Sequence, residues 1–80
     1  MTTSTIKSAK AYATRVRFEK DMMHVLLLDG REISVPLEWF PRLRAAKDSQ
    51  RKKWRFIGKG VGIHWDGIDE DISVAALLKA

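Results

Sequence analysis

His24 and His64 are the two imidazoles of the chain, and His64 is followed closely by Asp66, Asp69, Glu70 and Asp71. An imidazole among carboxylates is what acid–base catalysis and metal binding both draw on. His64 with Asp66 could form a His/Asp pair, and His64 with Asp69, Glu70 and Asp71 could form a ligand cluster. The ligand set is poor, because the chain has no cysteine and one local histidine. The acids also lack the alternating spacing and distal Glu of a calcium loop. The plainer expectation is that they start the last helix, where negative charge complements the dipole. No metal and no cofactor is expected.

Nucleophilic chemistry finds no better footing. Ser34 falls in an alternating strand pattern, Ser49 and Ser73 at helix starts, and Ser4 and Ser8 near the N-terminus, none with a base close in sequence. Gly58, Gly60 and Gly62 fit neither the dinucleotide fingerprint nor the P-loop. Glycines between two strands serve turns, since glycine takes positive φ without strain. A paired-carboxylate hydrolase needs two acids facing a cleft, for which so small a domain has little volume. The expectation is a protein that is not an enzyme.

Binding chemistry is better represented. Arg42, Arg44, Lys47, Arg51, Lys52, Lys53 and Arg55 stand against a single acid, Asp48, in a chain of net charge +5, with Trp39, Trp54 and Phe56 interleaved. Cations for phosphates and rings for stacking are the composition of a nucleic-acid footprint. A solvated helical face, with the three rings in the core, would produce the same pattern. Two functional readings follow. In the leading one the protein docks a protein partner through Trp39 and the basic helical face, since aromatics flanked by arginine suit interface hot spots. In the alternative, Arg42, Arg44, Arg51, Lys52, Lys53 and Arg55 bind nucleic acid, and about four phosphate contacts would give a log K against log salt slope of about −3 to −4.

The elements that must position these residues follow from periodicity. Residues 1–10, rich in Thr and Ser and without apolar rhythm, are expected to form a flexible arm, and residues 11–80 a single α+β domain. Val16 and Phe18 alternate with Arg15, Arg17 and Glu19, as in a strand with one wet face. Met22–Leu28 is apolar on both alternations and reads as a central strand covered on both sides. Asp29-Gly30 suits a two-residue type I′ turn into a third strand carrying Ile33, Val35 and Leu37. Pro41 opens a helix over residues 41–47, and Asp48 or Ser49 caps a second turn through Lys53. A second hairpin spans residues 55–65. Ser73 caps a closing helix to Ala80, with Ile72 and Leu77 as its hydrophobic staple.

The expected fold is therefore α+β: a small antiparallel sheet, made of a three-stranded meander plus a second hairpin, with two or three short helices and no internal repeat. Exposed edge strands could be covered by a second copy, or blunted by charge and Pro36. The absence of cysteine suits a reducing compartment, and the longest strongly apolar run is Val25–Leu28, so a cytoplasmic protein with no signal peptide, membrane span or membrane partner is expected.

Two segments, DGREISVPLEWFPRLRAA (29–46) and FIGKGVGIHWDGIDEDISVAALL (56–78), resemble the bacterial family called domain of unknown function 2442. The Gly-Ile-His-Trp run followed by Asp-Glu-Asp-Ile-Ser-Val carries most of the likeness. The resemblance implies a compact α+β fold with an antiparallel sheet and supplies no catalytic residues. It also implies a protein partner: such proteins are often encoded beside a companion of the family called domain of unknown function 4160, in an arrangement like a toxin–antitoxin pair. Some members carry a helix-turn-helix domain, for which this chain has no room after Ala80, so a repressor role is not expected. The chain departs from similar sequences at Asp66, often proline, and at Ser49–Lys53, which is more basic than usual.

Overall fold

A computed structural model describes residues 11–79; the expected arm, with Ser4 and Ser8, lies outside the described residues. Strands β1 (Ala13–Glu19), β2 (Met22–Leu27) and β3 (Glu32–Pro36) form one antiparallel sheet, and β4 (Trp54–Ile57), β5 (Gly62–Trp65) and β6 (Glu70–Ser73) form another. Helices α1 (Pro41–Ala45) and α2 (Asp48–Arg51) connect the sheets, and α3 (Val74–Lys79) follows β6. The architecture is α+β, as the periodicity predicts. The second hairpin gains a third strand, because Glu70 and Asp71 pair with Trp65 and His64 and do not open the last helix.

The same β-β-β-helix order thus runs twice, where the sequence alone indicated no repeat. Once the strands are aligned on their register, a shared pattern is visible: Arg17-Phe18 and His24 recur as Arg55-Phe56 and His64, the turns that follow carry Asp29-Gly30 and Asp66-Gly67, and Val35 and Ile72 take the same place beside Met23 and Ile63. The connecting turns differ in length between the halves, so the recurrence has no fixed period.

In the first sheet β2 is central, as expected, but only one of its faces is closed. Met23, Val25 and Leu27 are buried, whereas Met22, His24 and Leu26 are half-buried and Leu28 lies exposed in the turn. That turn is not type I′. Gly30 alone has positive φ, at 95°, its N–H donates to the Leu27 carbonyl, and Leu27 N–H donates to Arg31. This is a three-residue loop with glycine in the bulge position. The Asp29 carboxylate accepts from the Arg31 backbone N–H and Nε, which fixes the bend.

Both sheets contribute to one core, in which Trp65, Met23, Leu37, Leu43, Ile63, Val25 and Val74 are fully enclosed. Trp65 is the core tryptophan; Trp54 and Phe56 are half-buried and lean on each other at 4.9 Å, and Trp39 is exposed. Gly60, at φ 109°, brings the β4–β5 turn against β1, where a Cβ would stand 2.5 Å from the Ala13 carbonyl oxygen. The glycine run is a turn, and its middle member is also a point of close approach between the halves.

Pro41 begins α1 as expected, but the helix ends at Ala45, and Ala46 is already extended. Its last carbonyls are taken by a side chain: Arg51 Nε donates to Leu43 at 2.8 Å and Nη2 to Arg44 at 2.7 Å. The N-cap of α2 is Lys47, neither Asp48 nor Ser49, because Gln50 Oε1 accepts the Lys47 N–H at 2.9 Å. Ser73 does cap α3, accepting the Ala76 N–H at 3.3 Å, with Ile72 and Leu77 both buried beside it.

Candidate functional site

The structure divides the basic segment. Arg51 is a fold residue: besides its two carbonyl bonds it faces Asp48 at 3.4 Å, and its side chain is only 16% exposed. It is therefore withdrawn from the expected contact surface. Arg42 donates to the Asp69 carbonyl at 2.6 Å, Arg44 pairs with Glu38 at 3.2 Å, and Arg55 binds Asp66 through Nε and Nη2 at 3.2 and 3.4 Å. Lys47, Lys52 and Lys53 have no carboxylate within ion-pair distance among the described residues. Two of the six cations assigned to nucleic acid, Lys52 and Lys53, thus remain unengaged.

Each histidine sits mid-row on the outer face of its sheet. His64 lies between its cross-strand neighbours Arg55 and Asp71. Its Nδ1 meets the Asp71 carboxylate, and its Nε2 is 2.7 Å from Asp66 Oδ1. Only an imidazolium can donate from both nitrogens at once. The Asp71 carboxylate, with Asp66 assisting, holds the His64 pKa above its ordinary 6.5 despite partial burial. The Arg55 guanidinium and His64 hold Asp66 below its ordinary 3.8. A raised histidine pKa contributes stability that is complete below 6.5 and lost as pH rises through the folded value, whereas the lowered Asp66 contributes stability that is complete above 3.8 and lost on acidification. Thermal melts should therefore show Tm highest between those limits and falling as pH rises above about 6.5. In His64→Gln the alkaline fall should flatten; an identical alkaline slope in both proteins would remove the triad from the account.

His24 has a different environment. Its Nδ1 is 2.6 Å from Ser34 Oγ, and its Nε2 is 3.6 Å from Glu19, with Arg17 bridging Glu19 and Glu32. The sequence kept this pair apart; strand pairing brings it together, since His24 and Ser34 are register partners. A serine, an imidazole and a carboxylate in line are the elements of an activated nucleophile. Here they lie on a sheet face, and no cleft described below is lined by any of the three. Among the described residues no group of three or more His, Asp or Glu side chains is placed to hold a metal ion.

Concavity is found elsewhere. A groove of about 800 Å³ is lined by Ile57, Val61, Ile72, Ala75 and Leu78, with Arg31 and Lys79 among its polar residues. A second depression, of about 320 Å³, is lined by Trp39, Phe40, Ala76 and Leu77, and shares Asp71, Ile72 and Ser73 with the first. Five large apolar residues are exposed among those described, and four of them, Trp39, Ile57, Val61 and Leu78, line these two depressions. A third cleft, of about 470 Å³, lies at the β1–β2 turn against α2. The apolar grooves were illegible in the sequence, because Ile57, Val61 and Leu78 have the spacing of ordinary core residues.

Twin three-stranded meanders, each followed by a helix, define the class: a small α+β protein in which neither histidine lines the clefts described. The family model described as protein of unknown function (DUF2442) matches residues 13–80, and the chain belongs to that family. It is similar to a crystal structure of a protein of unknown function from Rhodospirillum rubrum, with 26% identity, coverage of 89% of this chain and 88% of that one, and a TM-score of 0.76. It also matches the solution structure of an uncharacterised protein from Chromobacterium violaceum at 16% identity, covering 98% of this chain and 73% of that one with a TM-score of 0.75, a likeness of fold alone. No curated protein matches the chain. No helix among the described residues is long and apolar enough to cross a membrane.

Proposed function

We propose that the protein is a non-catalytic, cytoplasmic protein-binding module, the antitoxin-like half of a two-gene pair, whose partner seats on the two joined apolar depressions. The observation that carries this reading is the gathering of Trp39, Ile57, Val61 and Leu78, between 41% and 52% exposed, on depressions that share β6 residues. Scattered apolar side chains need no explanation, but a contiguous patch on so small a surface marks an interaction site. Trp39 keeps the role expected of it, whereas Arg42, Arg44, Arg51 and Arg55 are engaged within the chain. On the larger groove Arg31 is held by Asp29, whereas Lys79 has no carboxylate partner among the described residues and favours a partner segment that presents apolar side chains beside an acid. The companion of the 4160 family, expected beside this gene, is the partner proposed.

Co-expression with that companion tests the reading. The pair should co-purify at moderate salt, and Leu78→Asp or Trp39→Ala should weaken the complex by about thirtyfold or more, the effect of losing an interface hot spot. Both positions are exposed, so the variants should melt close to the parent. No co-purification across moderate salt, or full binding by both variants, would refute the docking surface. The non-catalytic half has its own check, because an activated serine reacts with fluorophosphonates: stoichiometric labelling at Ser34, abolished in His24→Ala, would make the protein a hydrolase instead.

A further inference from the structure

The third cleft shares no lining residue with the apolar grooves, and its chemistry differs from theirs. Phe18 and Trp54 give it ring surface, and Lys20, Arg51 and Lys52 give it positive charge. Its volume is within the range of small-ligand sites. Arg17 also lines it but is occupied by Glu19 and Glu32, and the sole carboxylate of the lining, Asp48, faces Arg51. Lys20 and Lys52 are left as unengaged cations among the described residues. The rings are held by their own neighbours, Phe18 edge-on to Trp65 at 6.4 Å and Trp54 tilted on Phe56.

Lys20 is placed there by the turn. It is the first residue of the two-residue loop joining Glu19 to Met22, and its φ of +56° is the left-handed position such a loop requires, which glycine or asparagine would enter more readily than lysine.

We propose that this cleft binds a nucleoside phosphate, free or as one unit of a single strand, with the base against Trp54 and Phe18 and the phosphate held by Lys20 and Lys52. Bases stack on aromatic side chains irrespective of sequence, and ammonium groups neutralise the backbone. A duplex keeps its bases stacked and paired, so it cannot present one to a cleft of this kind. The proposal narrows the basic segment from a face of six cations to one lysine of that segment, joined by a lysine from the β1–β2 turn.

The test uses the full chain with a fluorescein-labelled short oligothymidylate, ADP, and a duplex of equal length. The oligonucleotide should bind saturably, with a log K against log salt slope of about −1.4 for two phosphate contacts on a single strand. Lys20→Gln and Lys52→Gln should each weaken binding by about tenfold, and Lys53→Gln, one residue outside the cleft, by less than about twofold. Lys20→Gly should raise Tm while weakening binding, a combination that a purely structural lysine would not give. ADP binding with the same lysine dependence assigns the free nucleotide as a source; oligonucleotide binding without ADP binding assigns the single strand. The proposal is overturned if neither ligand saturates, if the duplex binds as tightly as the single strand, or if Lys53→Gln loses as much as Lys52→Gln. Trp54→Leu should weaken the oligonucleotide as well, and the exposed lysine variants decide the matter if that variant does not fold.

Discussion

Gly60→Ala is expected to destabilise the protein by about 2–5 kcal/mol, from backbone strain added to overpacking. The new Cβ would enter at 2.5 Å from the Ala13 carbonyl oxygen and 2.9 Å from the Ala13 nitrogen, on a backbone at φ 109°. Neither obstacle is a flexible side-chain end, so relief requires the β4–β5 turn to withdraw from β1. Two other glycines separate the contributions. Gly30, at φ 95° with open space around it, should lose about 1 kcal/mol on replacement by alanine, from strain alone. Gly67, with open space and no positive φ, should change by less than about 0.5 kcal/mol. Urea midpoints of the three variants give the comparison, and a Gly60→Ala loss no larger than that of Gly30→Ala would show that the approach to Ala13 is soft.

Trp65→Ala should cost about 3–5 kcal/mol, the usual range for deleting a large aromatic from a closed core. The side chain is fully buried, its ring meets Phe18 edge-on, and Nε1 donates to the Arg51 carbonyl at 3.0 Å. Arg51 in turn holds the carbonyls of Leu43 and Arg44, so one chain of contacts ties β5 to α2 and α2 to the end of α1. Trp65→Phe keeps most of the ring and removes the donor, and Arg51→Met removes the guanidinium. If the two act through the same tie, their double-mutant coupling should lie between about 0.5 and 3 kcal/mol. Strict additivity in denaturant melts would mean that the tryptophan serves as volume only.

Much of this fold could be read from residue order. Alternation located β1 and β3, a run apolar on both alternations located β2, Pro41 and Ser73 marked the starts of α1 and α3, and the Gly-Ile-His-Trp run carried the family likeness. The failures have physical causes. Glu70 and Asp71 look like the acidic first turn of a helix, but cross-strand partners on β5 make them a strand, and no local signal reports a partner. Lys47 displaced Asp48 as the α2 cap because Gln50 reaches back to its N–H, a reciprocal bond set by backbone direction. The site suffered most. Formal charge counted Arg42, Arg44, Arg51 and Arg55 as available, although their partners are Asp69, Glu38, two helix-end carbonyls and Asp66. The His24–Ser34 pair and the apolar grooves are products of strand register and of which faces stay uncovered.

The internal engagement of those arginines separates speed from strength in any encounter with a polyanion. Ion pairing leaves the net charge of +5 untouched, so the field that gathers anionic partners is not weakened by it, and at physiological salt that field acts within a Debye length of about 8 Å. Counterion release on contact, by contrast, counts only cations free to approach a phosphate. Collisions with nucleic acid should therefore be frequent and brief, with fast association offset by equally fast escape, except where a ligand can reach the few lysines that nothing in the fold has claimed.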